Sequence, residues 1–154
     1  MPTIPSLGHV GLSVADIERS KKFYTEVLGL DVVMELDIAD DRMAKVLSIP
    51  GTKTKITHLR LGDGVLELFE YYAPERGINR ARQHPQKDHG LVHIGFEVDD
   101  FHQRVETLRR HNVQFMGEPL EFRPGVWVLY FYGPDGEVCE LHDVSEAQAA
   151  KAGE

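Results

Sequence analysis

The amino-acid sequence predicts an α+β protein made of two βαβββ modules, which form a curved, partly open mixed sheet barrel with helices outside. The main observation is an internal repeat in residues 8–14 (GHVGLSV) and 92–98 (VHIGFEV). Each stretch has a histidine, a branched residue, a glycine, a large apolar residue, a polar residue and a valine in this order. A helical pattern follows each copy. A second repeated pair, residues 65–68 (VLEL) and 138–141 (VCEL), comes after an Asp-Gly turn in each half. Two similar modules account for both repeats.

The predicted organisation has four parts. They are a first module at residues 1–72, a linker at 73–90, a second module at 91–144 and a C-terminal tail at 145–154. The linker contains Pro, Gly and several charges without periodicity, which is typical of a connection. Residues 7–144 together form one predicted domain.

In the first module, residues 7–14 are mostly apolar and predict a strand with His9 and Gly11 on one face. Asp16 is placed to cap a helix over residues 17–28, and Gly29 ends it. Strands follow at residues 30–38, 55–61 and 65–72, with a hairpin turn at residues 62–64 between the last two. The segment 39–54 is ambiguous and contains a short helical turn near residues 43–47.

The second module repeats this order. Residues 91–98 predict a strand, Asp100 is placed to cap a helix that ends at His111-Asn112, and residues 114–121 predict a weaker strand. Stronger strands are predicted at residues 125–132 and 137–144. The tail is rich in Ala and charges and predicts a frayed helix.

Composition excludes several classes of function. A formal net charge of -8 disfavours nucleic acid and anionic membranes, because both attract basic proteins. The chain contains no apolar run of about 18 residues, so no membrane span is expected. The N-terminus lacks the features of a secretory signal, which predicts a cytoplasmic location. Cys139 is the single cysteine, so any metal ion is expected to be held by nitrogen and oxygen.

A basic cluster in the linker has two interpretations. Arg76, Arg80, Arg82 and Lys87 either form a solvated surface or bind a phosphate or carboxylate of a small substrate. The solvated surface is the favoured interpretation.

The repeats single out His9, Glu67, His93 and Glu140. If the modules pack around a pseudo-twofold axis, two imidazoles and two carboxylates converge. This donor set suits one divalent ion of Zn, Ni, Co, Mn or Fe and leaves positions open for substrate. The alternative, in which the histidines are ordinary residues bonded to backbone, suits a single histidine better than a repeated one.

The sequence resembles the vicinal oxygen chelate superfamily, which includes glyoxalase I, methylmalonyl-CoA epimerase, extradiol dioxygenases and fosfomycin-resistance enzymes. Five stretches carry the resemblance: residues 8–14, 23–30 (FYTEVLGL), 66–68, 92–96 and 133–141 (GPDGEVCEL). The resemblance implies that His9, Glu67, His93 and Glu140 are the metal ligands. A glutamate at position 67 is similar to glyoxalase I, whereas the long linker and residues 88–93 (DHGLVH) are similar to the epimerase.

The activity implied by this resemblance is that of a metal-dependent lyase, isomerase or epimerase. It would move a proton next to a carbonyl through a metal-bound enediolate or enolate. Glu140 is the first choice for the catalytic base and Glu67 the second. Two alternatives remain open: an Fe(II) extradiol-type dioxygenase that uses His9, His93 and Glu140, and a metal-free protein that binds a drug or metabolite.

The expected partner is a small-molecule substrate, and Arg123, Tyr130 and His142 are the candidates to bind it. His142 lies two residues beyond Glu140, so it shares that face of a strand. Tyr130 lies in an aromatic strand that either lines a pocket or packs in the core. A homodimer is expected from the resemblance and because open sheet edges need covering.

Overall fold

A computed structural model describes residues 4–81 and 85–152. The described residues therefore leave out Arg82 of the basic cluster, the start of the first module and the end of the tail. The chain folds into two compact units, residues 1–79 and 80–154. The boundary between the units lies inside the predicted linker.

The first unit contains one mixed sheet and two helices. Its elements are β1 (Val10–Ser13), α1 (Ile17–Glu26), β2 (Asp31–Ile38), α2 (Arg42–Leu47), β3 (Lys53–Leu61) and β4 (Gly64–Ala73). The strand order is β1-β4-β3-β2, in which β1 runs parallel to β4 and the other neighbours are antiparallel. The helical turn predicted near residues 43–47 is confirmed as α2.

The second unit has the same strand topology. Its elements are β5 (Ile94–Glu97), α3 (Phe101–Arg110), β6 (Leu120–Arg123), β7 (Val126–Tyr132), β8 (Val138–Asp143) and α4 (Ser145–Ala152). The order is β5-β8-β7-β6, again with a parallel first pair. The predicted α+β class with two related mixed sheets is therefore confirmed, and the tail forms the helix α4.

Each sheet buries one face, because successive side chains of a strand alternate between faces. Leu66 and Leu68 of β4 are buried, and α1, which packs on β3 and β4, buries Ile17 and Tyr24. The corresponding core of the second unit contains Phe96, Phe101, Val105, Leu108, Leu129 and Leu141. The opposite faces are only partly buried, which leaves the predicted site residues accessible. Among the helices of residues 4–81 and 85–152, none is long and apolar enough to cross a bilayer.

The two long helices begin in different ways. Asp16 caps α1 as predicted, since its carboxylate accepts the Arg19 N–H at 3.0 Å. Asp100 stands at the start of α3, but within the described chain its side chain makes no capping hydrogen bond. The prediction that Asp100 caps α3 is therefore wrong. Asp143 of β8 instead accepts the Phe101 N–H at 3.3 Å, just as Glu70 of β4 accepts the Ile17 N–H at 2.9 Å.

Some predicted strands are shorter or displaced. The strand predicted at residues 114–121 is wrong in position, because β6 begins only at Leu120 and Phe115 forms an isolated bridge with Phe131. Pro119 lacks the N–H that a ladder needs, so pairing starts after it. The strands predicted from Leu7 and Leu91 start three residues later, and both leucines are exposed.

Candidate metal centre

The first histidine–glutamate pair lies where β1 runs beside β4. His9 immediately precedes β1, and Gly11 is the register partner of Glu67. His9 Nε2 lies 3.0 Å from Glu67 Oε2, and the side chains are 56% and 13% exposed. The parallel ladder thus brings together two residues that are far apart in sequence.

The second pair repeats this geometry in the other unit. His93 immediately precedes β5, and Gly95 is the register partner of Glu140. His93 Nε2 lies 3.1 Å from Glu140 Oε2, and the side chains are 31% and 16% exposed. The duplication seen in the sequence is therefore also a duplication of side-chain geometry.

His58 is a site residue that the sequence analysis missed. It lies directly opposite Glu67 in the β3–β4 ladder, and its Nε2 lies 2.5 Å from Glu67 Oε1. Both oxygens of Glu67 thus face an imidazole. The signal was present in the sequence, since a two-residue turn at Gly62-Asp63 pairs residue 61 with 64 and therefore residue 58 with 67.

Tyr130 occupies the position in the second unit that His58 occupies in the first. It is the register partner of Glu140, and its ring lies edge-on to the ring of His93 with 5.2 Å between the centroids. Burial raises the pKa of the Tyr130 phenol, and the charge of Glu140 and the hydrogen bond to it raise that pKa further. Tyr130 therefore stays protonated and donates to Glu140.

Gln86, in the connection before β5, also contacts the site. Its Oε1 lies 3.1 Å from His93 Nδ1, and its Nε2 donates to the carbonyl of Val92 at 2.7 Å. Nothing in the sequence pattern of this connection indicated the contact.

The two other candidate substrate-binding residues differ in position. His142 lies on the Glu140 face of β8, where it pairs with Val128 of β7. Arg123 ends the outer strand β6 and pairs with Val126, four residues along β7 from Tyr130. With about 3.4 Å per residue and 4.8 Å between strands, the Arg123 backbone lies on the order of 15 Å from Glu140. Arg123 therefore does not lie with Tyr130 and His142 beside Glu140.

Arg76 of the basic cluster has partners inside the first unit. It donates to the Ala15 carbonyl at 3.1 Å and lies 3.7 Å from the Glu70 carboxylate. These contacts support a structural role for Arg76 rather than the anchoring of a substrate anion.

The chemistry and spacing of each pair fit a divalent ion. Nitrogen and oxygen ligands at about 2.1 Å from one ion lie about 3.0–3.5 Å apart in octahedral or tetrahedral geometry, and the two pairs have spacings of 3.0 and 3.1 Å. Inside either unit, over residues 4–81 and 85–152, no set of three or more His, Cys, Asp or Glu side chains is grouped to hold an ion. Each pair by itself supplies two of the ligands that a divalent ion takes.

Comparison with known proteins identifies the family. Residues 6–141 match the sequence model of the Glyoxalase/Bleomycin resistance protein/Dioxygenase superfamily. The chain belongs to this superfamily. The resemblance seen in the sequence, on the glycine, histidine and glutamate motifs, is confirmed.

Relatives within the superfamily include enzymes. The chain is 36% identical to 2-epi-5-epi-valiolone epimerase of Actinomyces sp over 152 residues, covering 92% of the chain and 80% of that protein. It is 30% identical to glyoxalase I of Saccharomyces cerevisiae, covering 88% of the chain but only 44% of that protein. A glyoxalase family protein from Bacillus cereus shares the fold with a TM-score of 0.84 at 19% identity, covering 92% and 95% of the two chains.

Proposed function

We propose that this superfamily member is a divalent-metal-dependent epimerase or isomerase that moves a proton next to a carbonyl group. The observation that carries the proposal is the duplicated histidine–glutamate pair, with Nε2–Oε2 distances of 3.0 and 3.1 Å. The similarity to an epimerase over most of both chains favours epimerisation over the lyase reaction.

His9, Glu67, His93 and Glu140 are the residues that would hold one ion of Zn, Ni, Co, Mn or Fe(II). When bound, such an ion supplies a Lewis acid that stabilises negative charge on a carbonyl oxygen. Both units contribute one imidazole and one carboxylate to the proposed set. The substrate is a small molecule with a C–H bond next to a carbonyl.

Glu140 is the proposed base. Glu67 is held at both oxygens by imidazoles, at 3.0 Å from His9 and 2.5 Å from His58. Glu140 is held by one imidazole and by a neutral phenol, that of Tyr130. A carboxylate with a weaker second partner is freer to accept a proton from carbon and to return it.

Tyr130 and His142 are proposed to orient the substrate, because both lie on the face of the sheet that carries Glu140. For inversion, Glu140 takes the proton from one face of the carbon, and Glu67 in its protonated form gives a different proton to the opposite face. Solvent then removes the proton from Glu140 and restores that of Glu67. Glu67, the carboxylate of the other unit, is the proposed second proton carrier. Two carboxylates in equivalent positions would thus supply the base and the acid that an epimerase needs.

Exchange of the carbon-bound proton for deuterium tests the proposal. The full-length protein, loaded in turn with Zn, Co, Ni or Mn, is incubated in D2O with 2-epi-5-epi-valiolone and with a panel of 2-oxo and thioester compounds. Proton NMR is expected to show loss of the signal next to the carbonyl for at least one compound. Glu140→Gln is expected to reduce the exchange rate at least about 100-fold.

Glu118→Gln serves as the matched control, because Glu118 is an exposed glutamate outside both pairs. The proposal is wrong if Glu140→Gln and Glu67→Gln both bind metal and exchange protons as the wild type does. Oxygen uptake with a catechol under Fe(II) would instead identify a dioxygenase.

A further inference from the structure

The predicted linker contributes a residue to the proposed centre. Gln86 lies seven positions before His93, in a segment without helix or strand. Its side chain is half-buried and contacts two groups later in the chain, the Val92 carbonyl and the His93 ring.

The hydrogen bond to Val92 fixes the orientation of the Gln86 amide. A backbone carbonyl only accepts hydrogen bonds, so the group that contacts Val92 at 2.7 Å is the amide NH2. The group that faces His93 Nδ1 at 3.1 Å is then the amide oxygen, which only accepts. Nδ1 of His93 must therefore carry the hydrogen of this bond.

This assignment decides which ring nitrogen of His93 is available to a metal. In a neutral imidazole one nitrogen carries hydrogen and the other has a free lone pair. With hydrogen on Nδ1, the lone pair of a neutral ring lies on Nε2. Nε2 and the Glu140 carboxylate, 3.1 Å apart, then both offer lone pairs to an ion. Without an ion, the Glu140 carboxylate competes with Gln86 for the hydrogen of the ring. The edge-on contact with Tyr130 restrains the ring from another direction.

We propose that Gln86 is a positioning residue that holds His93 in the tautomer and orientation required of a metal ligand. The inference rests on the proposed function for its purpose, but the Gln86 contact and its effect on the tautomer population belong to the metal-free chain. The proposal gives the predicted linker a role in the site. Outer hydrogen bonds of this kind typically change metal affinity 10- to 100-fold.

Two variants of the full chain separate the effect of the hydrogen-bond acceptor at position 86 from the effect of side-chain length. Gln86→Met keeps a similar length but has no acceptor for Nδ1–H, whereas Gln86→Glu keeps an acceptor. Lys87→Met, at the exposed neighbouring position, is the control for changes to the segment itself. The probe is Zn²⁺ alone, titrated calorimetrically, and the second readout is the ¹⁵N NMR spectrum of the His93 ring in metal-free protein at a pH where the ring is neutral.

The expected result has three parts. Gln86→Met weakens Zn²⁺ binding about 10- to 100-fold, Gln86→Glu stays within about threefold of wild type, and Lys87→Met has wild-type affinity. In the spectra, the fraction of His93 with hydrogen on Nδ1 is larger in wild type and Gln86→Glu than in Gln86→Met, because without Gln86 only the Glu140 carboxylate, opposite Nε2, accepts a hydrogen bond from the ring.

The proposal is overturned if the His93 tautomer population is the same in Gln86→Met as in wild type. It is also overturned if wild type binds Zn²⁺ and Gln86→Met binds it with the same affinity. If wild type binds none of the divalent ions, the proposed function fails. The ring spectra then still decide, on their own, whether Gln86 sets the tautomer.

Discussion

Glu67 and Glu140 occupy equivalent positions, but the side chains opposite them differ. The antiparallel ladder places His58 against Glu67 and Tyr130 against Glu140. In the first unit the partner lies 2.5 Å from the Glu67 oxygen that His9 does not contact. His58 therefore orients Glu67 so that its other oxygen faces His9, and the second unit uses a phenol for the same purpose.

Replacement of His58 by leucine is expected to weaken Zn²⁺ binding about 10- to 100-fold, because Glu67 loses the donor that orients it. His58→Gln retains a donor and is expected to lose much less affinity. Calorimetric titration of both variants checks this expectation, with His111→Gln as the control at an exposed histidine after α3. Equal affinities for the leucine variant and the wild type would show that His58 does not support the site.

Asp143 stabilises the fold through its charge. The buried carboxylate accepts hydrogen bonds from the Phe101 N–H and from both the N–H and hydroxyl of Ser145. Burial alone raises the pKa of Asp143, but the hydrogen bonds from Ser145 and Phe101 together outweigh it and lower the pKa. Since the folded-state pKa is below the unfolded value, this stabilisation is present above about pH 4 and is lost as the pH falls through the folded-state pKa.

Asp143→Asn is expected to lower the free energy of unfolding by about 1–3 kcal/mol near neutral pH. The difference from wild type is expected to narrow below about pH 4, because Asp143 takes up a proton first in the unfolded state and, at lower pH, in the folded state. Urea denaturation across this pH range measures the difference, with Asp31→Asn at an exposed position of β2 as the control. A difference that stays constant from neutral to acid pH would contradict the assigned role of the charge.

At the scale of elements, the C-terminal helix α4 is held to the β6–β7 turn through a glycine. Gly125 has a φ of +71°, and a Cβ at this position would lie 2.7 Å from the backbone nitrogen of Ala147. The Ala147 N–H donates to the Gly125 carbonyl at 3.3 Å. Gly62, in the β3–β4 turn, also has a positive φ of +56°, but a Cβ there would meet nothing within 4 Å.

Gly62→Ala is therefore expected to cost about 1 kcal/mol from backbone strain alone. Gly125→Ala is expected to cost at least about 1 kcal/mol more, because the clash with a backbone atom pushes α4 away. Chemical denaturation gives both costs, and hydrogen exchange is expected to speed up at the amides of α4 in the Gly125 variant alone. Equal costs and unchanged exchange would mean that α4 does not depend on this contact.

At the scale of the whole molecule, binding of one ion by all four proposed ligands would be coupled to the folding of both units. Each unit offers one histidine–glutamate pair, and within the described residues neither unit groups three ligands by itself. An ion bound by residues of both units favours the state in which both are folded. Metal binding and thermal stability are therefore expected to be linked.

Free metal at 100 times its dissociation constant stabilises a protein by about 2.7 kcal/mol, which raises the Tm by about 5–10 °C for a chain of this size. Removal of metal with a chelator is expected to lower the Tm of wild type by this amount. His9→Ala and His93→Ala are each expected to show a smaller shift, while His111→Ala keeps the full shift. A shift of wild-type size after loss of either histidine would contradict a site that uses both.

Local signals in the sequence determined most of the secondary structure and the residues proposed for the site. The repeat of residues 8–14 in 92–98 identified both histidines, and the Asp-Gly turns located the strands of both glutamates. Periodicity, caps and turn residues act over a few positions, so they can be read without coordinates. The Asp16 cap, α2 and most strands were predicted for this reason.

Only the tertiary structure decided which side chains support those residues. Gln86 contributes through a contact made by a loop without periodicity, and Asp143 contacts a residue 42 positions away. His58 differs, because the Gly62-Asp63 turn already fixes its pairing with Glu67. The local sequence pattern predicted that Asp100 caps α3. In the structure, the buried carboxylate of Asp143 in β8 accepts the Phe101 N–H instead. Such contacts depend on where distant segments pack, and no local pattern encodes that placement.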